Sequence, residues 1–134
     1  TSALHSYFDI GDITQCCILG FDQGIYIDAL DNWQQKKQSG AVNFNSEVDR
    51  IYLDVSDKCS IQCTQQNRVI QLVTTGSRST VIWNPWIEKS KRLSDFDDAE
   101  YQQMLCIETA NALQDFVSLA AGEVSNLTLT VSEL

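Results

Sequence analysis

Apolar and polar residues alternate one by one along several stretches of this chain, and this period of two restricts the fold more than any other feature. Residues 51–55, 68–75 and 126–131 follow the alternation and are rich in β-branched and aromatic side chains. Because successive side chains of a strand point to opposite faces of a sheet, the pattern predicts strands with one buried face. Gly76 then begins a short turn before residues 79–83, which predicts a β-hairpin.

The remaining segments add little helix to this prediction. Residues 97–102 have an acidic start and predict at most one or two helical turns. Residues 104–107 form an apolar run suited to an interior strand, and residues 16–19 are a weaker candidate of the same kind. Residues 33–40 are polar, contain two lysines and end in glycine, which predicts an exposed loop. Strands at regular spacing with turn signals between them predict an all-β fold, an antiparallel sandwich or barrel.

Length and charge limit the number of domains and the partners. The 134 residues have room for one domain, and no internal boundary is visible in the sequence. Nine Lys and Arg against 18 Asp and Glu give a net charge of −9, which repels phosphate backbones and predicts no nucleic-acid and no membrane partner. No apolar run reaches the roughly 18 residues of a membrane span, and no charged-then-apolar leader opens the sequence. We therefore expect a cytoplasmic protein.

The cysteine pattern argues against a metal centre. Cys16 and Cys17 are adjacent, Cys59 and Cys63 have no histidine near them in the sequence, and the only histidine, His5, is far away. A zinc site needs about four ligands at suitable spacing, and the sequence also lacks a phosphate-cradling glycine loop. We therefore expect no metal, no cofactor, and reduced, mostly buried thiols.

Three side chains have the chemistry for proton transfer or sugar binding. His5 can exchange protons at neutral pH, because histidine ordinarily titrates near pH ~6.5, but it can equally be a structural histidine. Glu108 follows the apolar run at 104–107 and is either a paired buried carboxylate or the exit of a strand to solvent; the segment alone favours the exit. Asp49 precedes a strong strand and can accept hydrogen bonds from sugar hydroxyls or form an ion pair with Arg50 or a lysine.

Four blocks of the sequence occur in an order that is typical of one family. They are residues 3–8 (ALHSYF), 48–52 (VDRIY), 83–86 (WNPW) and 106–110 (CIETA). The aromatic residues of the third block suit stacking on a sugar ring or a hydrophobic plug at the end of a sandwich. Together the blocks resemble the glucose-6-phosphate 1-epimerases, the hexose-6-phosphate mutarotases of the aldose 1-epimerase superfamily. Residues 117–123 are similar to the end of the family domain, with Ala121 where a proline is expected.

The resemblance implies a fold, a reaction and roles for the three candidates. The fold is a galactose mutarotase-like antiparallel β-sandwich, with residues 1–134 forming about the C-terminal half of one such domain. The reaction is the interconversion of the α and β anomers of a hexose 6-phosphate, with no cofactor and a small sugar phosphate as the partner. His5 is then the catalytic acid, Glu108 the base, and Asp49 a residue that binds sugar hydroxyls. The arginines that hold the 6-phosphate in the family lie upstream of the histidine block, outside this chain.

Two other functions stay open from the sequence. One is a mutarotase for unphosphorylated aldoses, and the other is a non-catalytic carbohydrate-binding or structural β-sandwich fragment. A sandwich cut through its middle exposes strand edges and an apolar sheet face. We therefore expect the isolated chain to self-associate through those edges.

Overall fold

Residues 1–134 are all described by a computed structural model whose regular structure is almost entirely β-strand. In chain order the strands are β1 (Ser2–Asp9), β2 (Cys16–Leu19), β3 (Ile25–Asp28), β4 (Gln34–Lys37), β5 (Val42–Asn43), β6 (Val48–Leu53), β7 (Lys58–Cys63), β8 (Arg68–Thr75), β9 (Ser79–Asn84), β10 (Met104–Asn111) and β11 (Thr128–Glu133). One short α-helix, α1 (Trp86–Ser90), and two 3₁₀ turns, Ile13–Gln15 and Glu100–Gln102, complete the elements. None of these helices has the length or the apolar character needed to cross a bilayer.

The strands form two antiparallel sheets that pack face to face. Sheet A has the order β1-β10-β9-β6-β3-β4, and sheet B has the order β11-β8-β7-β2-β5. Both sheets contribute to one buried core, which includes Tyr52, Ile82 and Ile107 from sheet A and Ile18, Ile61 and Leu72 from sheet B. This arrangement is an antiparallel β-sandwich, so the predicted fold class is confirmed.

The alternation in sheet A also defines a second face, turned away from sheet B. Ile82 of β9 and Ile107 of β10 point into the core, so their neighbours Val81, Trp83 and Glu108 lie on the opposite face. We call this surface of sheet A the outer face. It carries every candidate site residue described below.

The predicted hairpin across Gly76 is wrong. β8 pairs with β7 and β11 in sheet B, whereas β9 pairs with β6 and β10 in sheet A. Both strands have one apolar face that must be buried, and burying them from opposite sides of the core separates them. Gly76 therefore carries the chain from one sheet to the other.

The predicted exposed loop at residues 33–40 is also wrong, because its centre forms β4 at the edge of sheet A. Its polar character fits an edge strand, where charged side chains discourage further pairing. Lys36 Nζ lies 2.7 Å from an Oδ2 atom of both Asp28 and Asp31, so the lysine secures this edge to the neighbouring turn. The predicted helix at 97–102 shrinks to the 3₁₀ turn Glu100–Gln102, and the structure adds α1 immediately after Pro85.

The prediction for the cysteines is right about their burial and wrong about the oxidation state of two of them. Cys16, Cys59, Cys63 and Cys106 are buried, as predicted. Cys16 and Cys63, however, form a disulfide, which corrects the expectation that every thiol is reduced. The physical reason is the register of β2 and β7, which places these two residues directly opposite each other.

We expect Gly76→Ala to lower the free energy of unfolding by about 2–4 kcal/mol. Gly76 has φ +79°, and a Cβ there would meet the backbone carbonyl oxygen of Asn126. Gly40 is the matched control, because it has φ +66° but nothing within 4 Å of a built Cβ, so Gly40→Ala should cost only about 1–2 kcal/mol. Urea unfolding followed by circular dichroism measures both. Equal losses in the two variants would mean that the contact with Asn126 relaxes freely.

Candidate active site

The register of two neighbouring strands brings His5 and Glu108 together. β1 pairs antiparallel with β10, and His5 lies directly opposite Glu108. The imidazole Nε2 atom is 3.1 Å from the carboxylate Oε1 atom, with the histidine side chain 44% exposed and the glutamate 17% exposed. The expectation from the segment alone, that Glu108 marks the exit of the strand to solvent, is wrong, because β10 continues to Asn111.

Asp49 lies on the same outer face, two strands away from Glu108. In the register of sheet A, Cys106 of β10 is opposite Trp83 of β9, and Trp83 is opposite Asp49 of β6. The row that contains Asp49 is therefore next to the row that contains His5 and Glu108. The structure places all three predicted residues on one half-buried surface, while their roles stay predictions.

Burial and like charge both affect the two carboxylates. Burial raises the pKa of Glu108. Nearby His5 opposes this increase, and the negative charge of Asp49 adds to it. Burial likewise raises the pKa of Asp49, and Lys89 opposes this effect. A carboxylate with a raised pKa is a stronger base at neutral pH than a fully solvated one, which suits proton abstraction.

Cys106 is a component of this site that the sequence analysis missed. Its side chain is fully buried beside His5, with Sγ 3.2 Å from Nδ1 and 3.7 Å from Nε2. Burial, together with Glu108 and Asp49, raises the pKa of the Cys106 thiol to about 12, so it is neutral at physiological pH. The two residues are 101 positions apart, and no histidine-cysteine spacing could reveal the contact. The donor atoms of His5, Cys106 and Glu108 all lie within 4.8 Å of one another.

Aromatic residues and one lysine border the cluster. The Tyr7 ring lies 4.8 Å from the His5 ring, and Tyr7 also lines an open depression of about 530 Å³. Lys89 of α1 lies 5.8 Å from the Trp83 ring centroid and 4.0 Å from the Asp49 carboxylate. Trp83 is thus available at the outer face, whereas Trp86 packs against the core, so each predicted role of the WNPW block fits one of its tryptophans.

Asn84 fixes the elements that carry these groups. It is fully buried, and its Nδ2 donates to the carbonyl oxygens of Tyr101 and Met104, each at 2.8 Å. Its Oδ1 accepts a hydrogen bond of 2.9 Å from the Trp86 amide. One side chain therefore connects the end of β9, the start of α1 and the start of β10. The sequence indicated Asn84 only as part of an aromatic block, although asparagine side chains often bond to nearby backbone groups in turns and caps.

Comparison with known proteins identifies one family over almost the whole chain. The family model described as Aldose 1-epimerase matches residues 1–132. A protein from Cenchrus ciliaris named "Putative glucose-6-phosphate 1-epimerase" is 36% identical over 124 residues, which cover 92% of this chain and 37% of that protein. A protein of the same name from Escherichia coli K12 is 32% identical over 112 residues, which cover 84% of this chain and 38% of its own length. The chain therefore spans less than two fifths of these curated relatives.

Solved structures give the same result for the fold. The crystal structure of HI1317 superposes with a TM-score of 0.80 at 31% identity, covering 98% of this chain and 45% of that one. The crystal structure of a "putative mutarotase (YeaD)" from Salmonella typhimurium gives a TM-score of 0.76 at 31% identity, covering 80% of this chain and 36% of that one.

Proposed function

The chain belongs to the aldose 1-epimerase family, and we propose that it interconverts the α and β anomers of a hexose 6-phosphate, with glucose 6-phosphate as the first choice. The observation that carries the proposal is the 3.1 Å contact between His5 Nε2 and Glu108 Oε1 on an accessible sheet face. The substrate class is supported by the names of the curated relatives, which are glucose-6-phosphate 1-epimerases.

Anomer exchange needs one acid and one base that act on neighbouring oxygens. The C1 hydroxyl oxygen and the ring oxygen of an aldose are both bonded to C1, so the two protein groups must also be neighbours. Ionised Glu108 accepts the proton of the C1 hydroxyl, and protonated His5 donates a proton to the ring oxygen. The bond between C1 and the ring oxygen breaks, and the electron pair of the former O–H bond completes the aldehyde.

Rotation about the C1–C2 bond then presents the other face of the aldehyde. On reclosure the ring oxygen attacks C1 and returns its proton to His5, while Glu108 returns a proton to the C1 oxygen. The protein ends in its starting protonation state, so the cycle repeats without a further reactant. Positioned proton transfer of this kind contributes typically a hundred- to ten-thousand-fold for each group.

The outer face has further features that suit a sugar. Asp49 offers a carboxylate to sugar hydroxyls, and Trp83 offers an aromatic surface beside it in the register of sheet A. Lys89 lies 3.5 Å from Glu47 and 4.0 Å from Asp49, which keeps the charge of this acidic surface partly balanced. In this proposal Asp49 orients the sugar, and His5 and Glu108 carry the proton transfers.

We expect a protein that joins this chain to the upstream phosphate-binding arginines of the family to accelerate the exchange of glucose 6-phosphate anomers and to leave unphosphorylated glucose nearly unaffected. Saturation transfer between the two anomeric protons in NMR measures the exchange rate at equilibrium for both sugars under identical conditions. The His5→Asn variant is the control, because it retains the surface but lacks the acid.

Each other result overturns the proposal in a different way. Equal acceleration of both sugars would identify a mutarotase for unphosphorylated aldoses. Saturable sugar binding without acceleration would identify a carbohydrate-binding module. Acceleration that survives in His5→Asn would remove His5 from the mechanism.

A further inference from the structure

The cluster of His5, Cys106 and Glu108 combines three kinds of metal ligand in one place. It offers an imidazole nitrogen, a thiol sulfur and a carboxylate oxygen, and these atoms lie within 4.8 Å of one another. Nitrogen, sulfur and oxygen donors of this kind bind Zn²⁺ and related divalent transition-metal ions such as Co²⁺ in proteins. The mechanism above uses only two of the three residues and gives the thiol no part.

The two distances from the histidine nitrogen match a tetrahedral ion. Bonds of about 2.0 Å to nitrogen or oxygen and about 2.3 Å to sulfur separate N from O by about 3.3 Å and N from S by about 3.5 Å. In the structure His5 Nε2 is 3.1 Å from Glu108 Oε1 and 3.7 Å from Cys106 Sγ. The same nitrogen therefore stands near the ideal distance from both other donors. The oxygen of Glu108 and the sulfur of Cys106, which lie within 4.8 Å of each other, would approach to about 3.5 Å on binding and complete three corners of a tetrahedron.

We propose that His5, Cys106 and Glu108 form an inhibitory binding site for a zinc-class divalent cation, with water at the fourth position. The binding site stands on the geometry of the cluster, and only its inhibitory effect rests on the proposed function. A bound ion occupies the lone pair of His5 Nε2 and an oxygen of Glu108, so neither group can exchange a proton with a sugar.

The position of the cluster allows a cation to enter. The His5 side chain is 44% exposed on edge strand β1, and it lies against the fully buried Cys106, so a movement of the imidazole opens a path to the sulfur. The carboxylate of Asp49 lies on the same face and adds to the attraction for a positive ion.

Binding has a defined proton balance. The S–H bond of Cys106 breaks, its electron pair forms the bond to the ion, and the proton leaves to solvent. Because a metal binds the thiolate form of a cysteine, affinity should rise with pH.

Cobalt titration of the protein tests the site without depending on activity. We expect Co²⁺ to bind at one equivalent and to produce the near-ultraviolet absorption of a thiolate-to-cobalt charge transfer. The experiment is carried out anaerobically and without added reductant, which leaves the Cys16–Cys63 disulfide intact. Cys106→Ser should lose the absorption, whereas Cys17→Ser should keep it, because Cys17 is a free, half-buried thiol on sheet B.

Zinc then tests the inhibitory consequence. Zn²⁺ should displace Co²⁺, remove the charge-transfer absorption and reduce anomer exchange by about a hundredfold or more, in proportion to occupancy. The activity of Cys17→Ser should show the same sensitivity to Zn²⁺ as the parent protein.

The possible results separate the two proposals. No charge-transfer absorption at saturating Co²⁺, or an absorption that persists in folded Cys106→Ser, overturns the metal site. If Cys106→Ser fails to fold, His5→Asn at the half-exposed edge replaces it, and affinity should fall by more than the about ten- to hundredfold that an outer-shell change causes. An unchanged affinity there also overturns the site.

If cobalt binds as expected but the metal-free protein does not accelerate anomer exchange, the metal site stands and the proposed function fails.

Discussion

Replacing His5 by Asn or Glu108 by Gln is expected to slow the exchange of glucose 6-phosphate anomers by about a hundred- to ten-thousand-fold in each variant. Glu108→Gln keeps the size of the side chain, and His5→Asn replaces the ring by a smaller amide. Each substitution removes one proton-transfer group of the pair that is 3.1 Å apart. Because the two groups act in the same step, the double variant should lose little more than either single variant. Saturation transfer between the anomeric protons gives the three rates.

A matched control accompanies these variants. Glu88→Gln removes an exposed carboxylate of α1 that is paired only with Lys91, and it should leave the rate unchanged. Retention of activity in both His5→Asn and Glu108→Gln, with the sugar still exchanged faster than in buffer, would rule out the acid–base assignment.

The raised pKa of Glu108 predicts that removing the Glu108 carboxylate does not destabilise the protein. Burial raises this pKa, so the folded state binds the proton more tightly than the unfolded chain does. The ionised carboxylate therefore costs stability as the pH rises from the unfolded pKa of about 4.3 through the folded one. Glu108→Gln should be at least as stable as the parent at pH 7, with a difference that vanishes below about pH 4. Urea unfolding at several pH values measures it.

Asn84→Ala is expected to lower the free energy of unfolding by about 3–5 kcal/mol. The substitution leaves the carbonyl oxygens of Tyr101 and Met104 and the amide of Trp86 without the partner that Asn84 now provides in a fully buried position. Each buried polar group that loses its partner costs about 1–3 kcal/mol. The loss should also loosen α1 and, with it, Lys89 at the outer face.

Urea unfolding followed by circular dichroism measures the effect of Asn84→Ala. Asn43→Ala is the control, because Asn43 is exposed and makes a single local side-chain hydrogen bond to Ala41, so its removal should cost less than about 1 kcal/mol. A loss below about 1 kcal/mol for Asn84→Ala as well would mean that water or a rearranged loop replaces the missing hydrogen bonds.

The period of two was sufficient to predict the strands that have one continuous buried face. Residues 51–53, 68–75, 79–83 and 128–131 lie in strands, whereas residues 54–55 and 126–127 of the predicted stretches lie outside them. β4 was missed because its charges are balanced by tertiary contacts, such as that of Lys36 with Asp28, which no local pattern contains. β7 alternates as clearly as the others, but its apolar positions include Cys59 and Cys63, which were examined only as thiols.

Which strands pair was harder to predict from the sequence than where the strands lie. A short turn at Gly76 normally favours a hairpin, but the two flanking strands enter different sheets, and only the distribution of apolar faces over the whole core decides this. The same limitation applies to the site. The contact of His5 with Glu108 and Cys106 depends on the register of β1 against β10, so the family resemblance indicated the pair of His5 and Glu108, and nothing in the sequence indicated Cys106.

The position of His5 on β1 has a consequence for how the protein responds to heat. Among residues 1–134, β1 lies at the edge of sheet A, pairs only with β10 and is exposed over most of its length. Edge elements with few buried contacts open at a lower free energy than the core that supports them. Undocking of β1 would separate the acid from the base while β6, β9 and β10 remain paired. In a protein that consists of residues 1–134 alone, thermal inactivation would then begin below the melting temperature of the sandwich, and it would be reversible, because cooling restores one strand to a sheet that never unfolded.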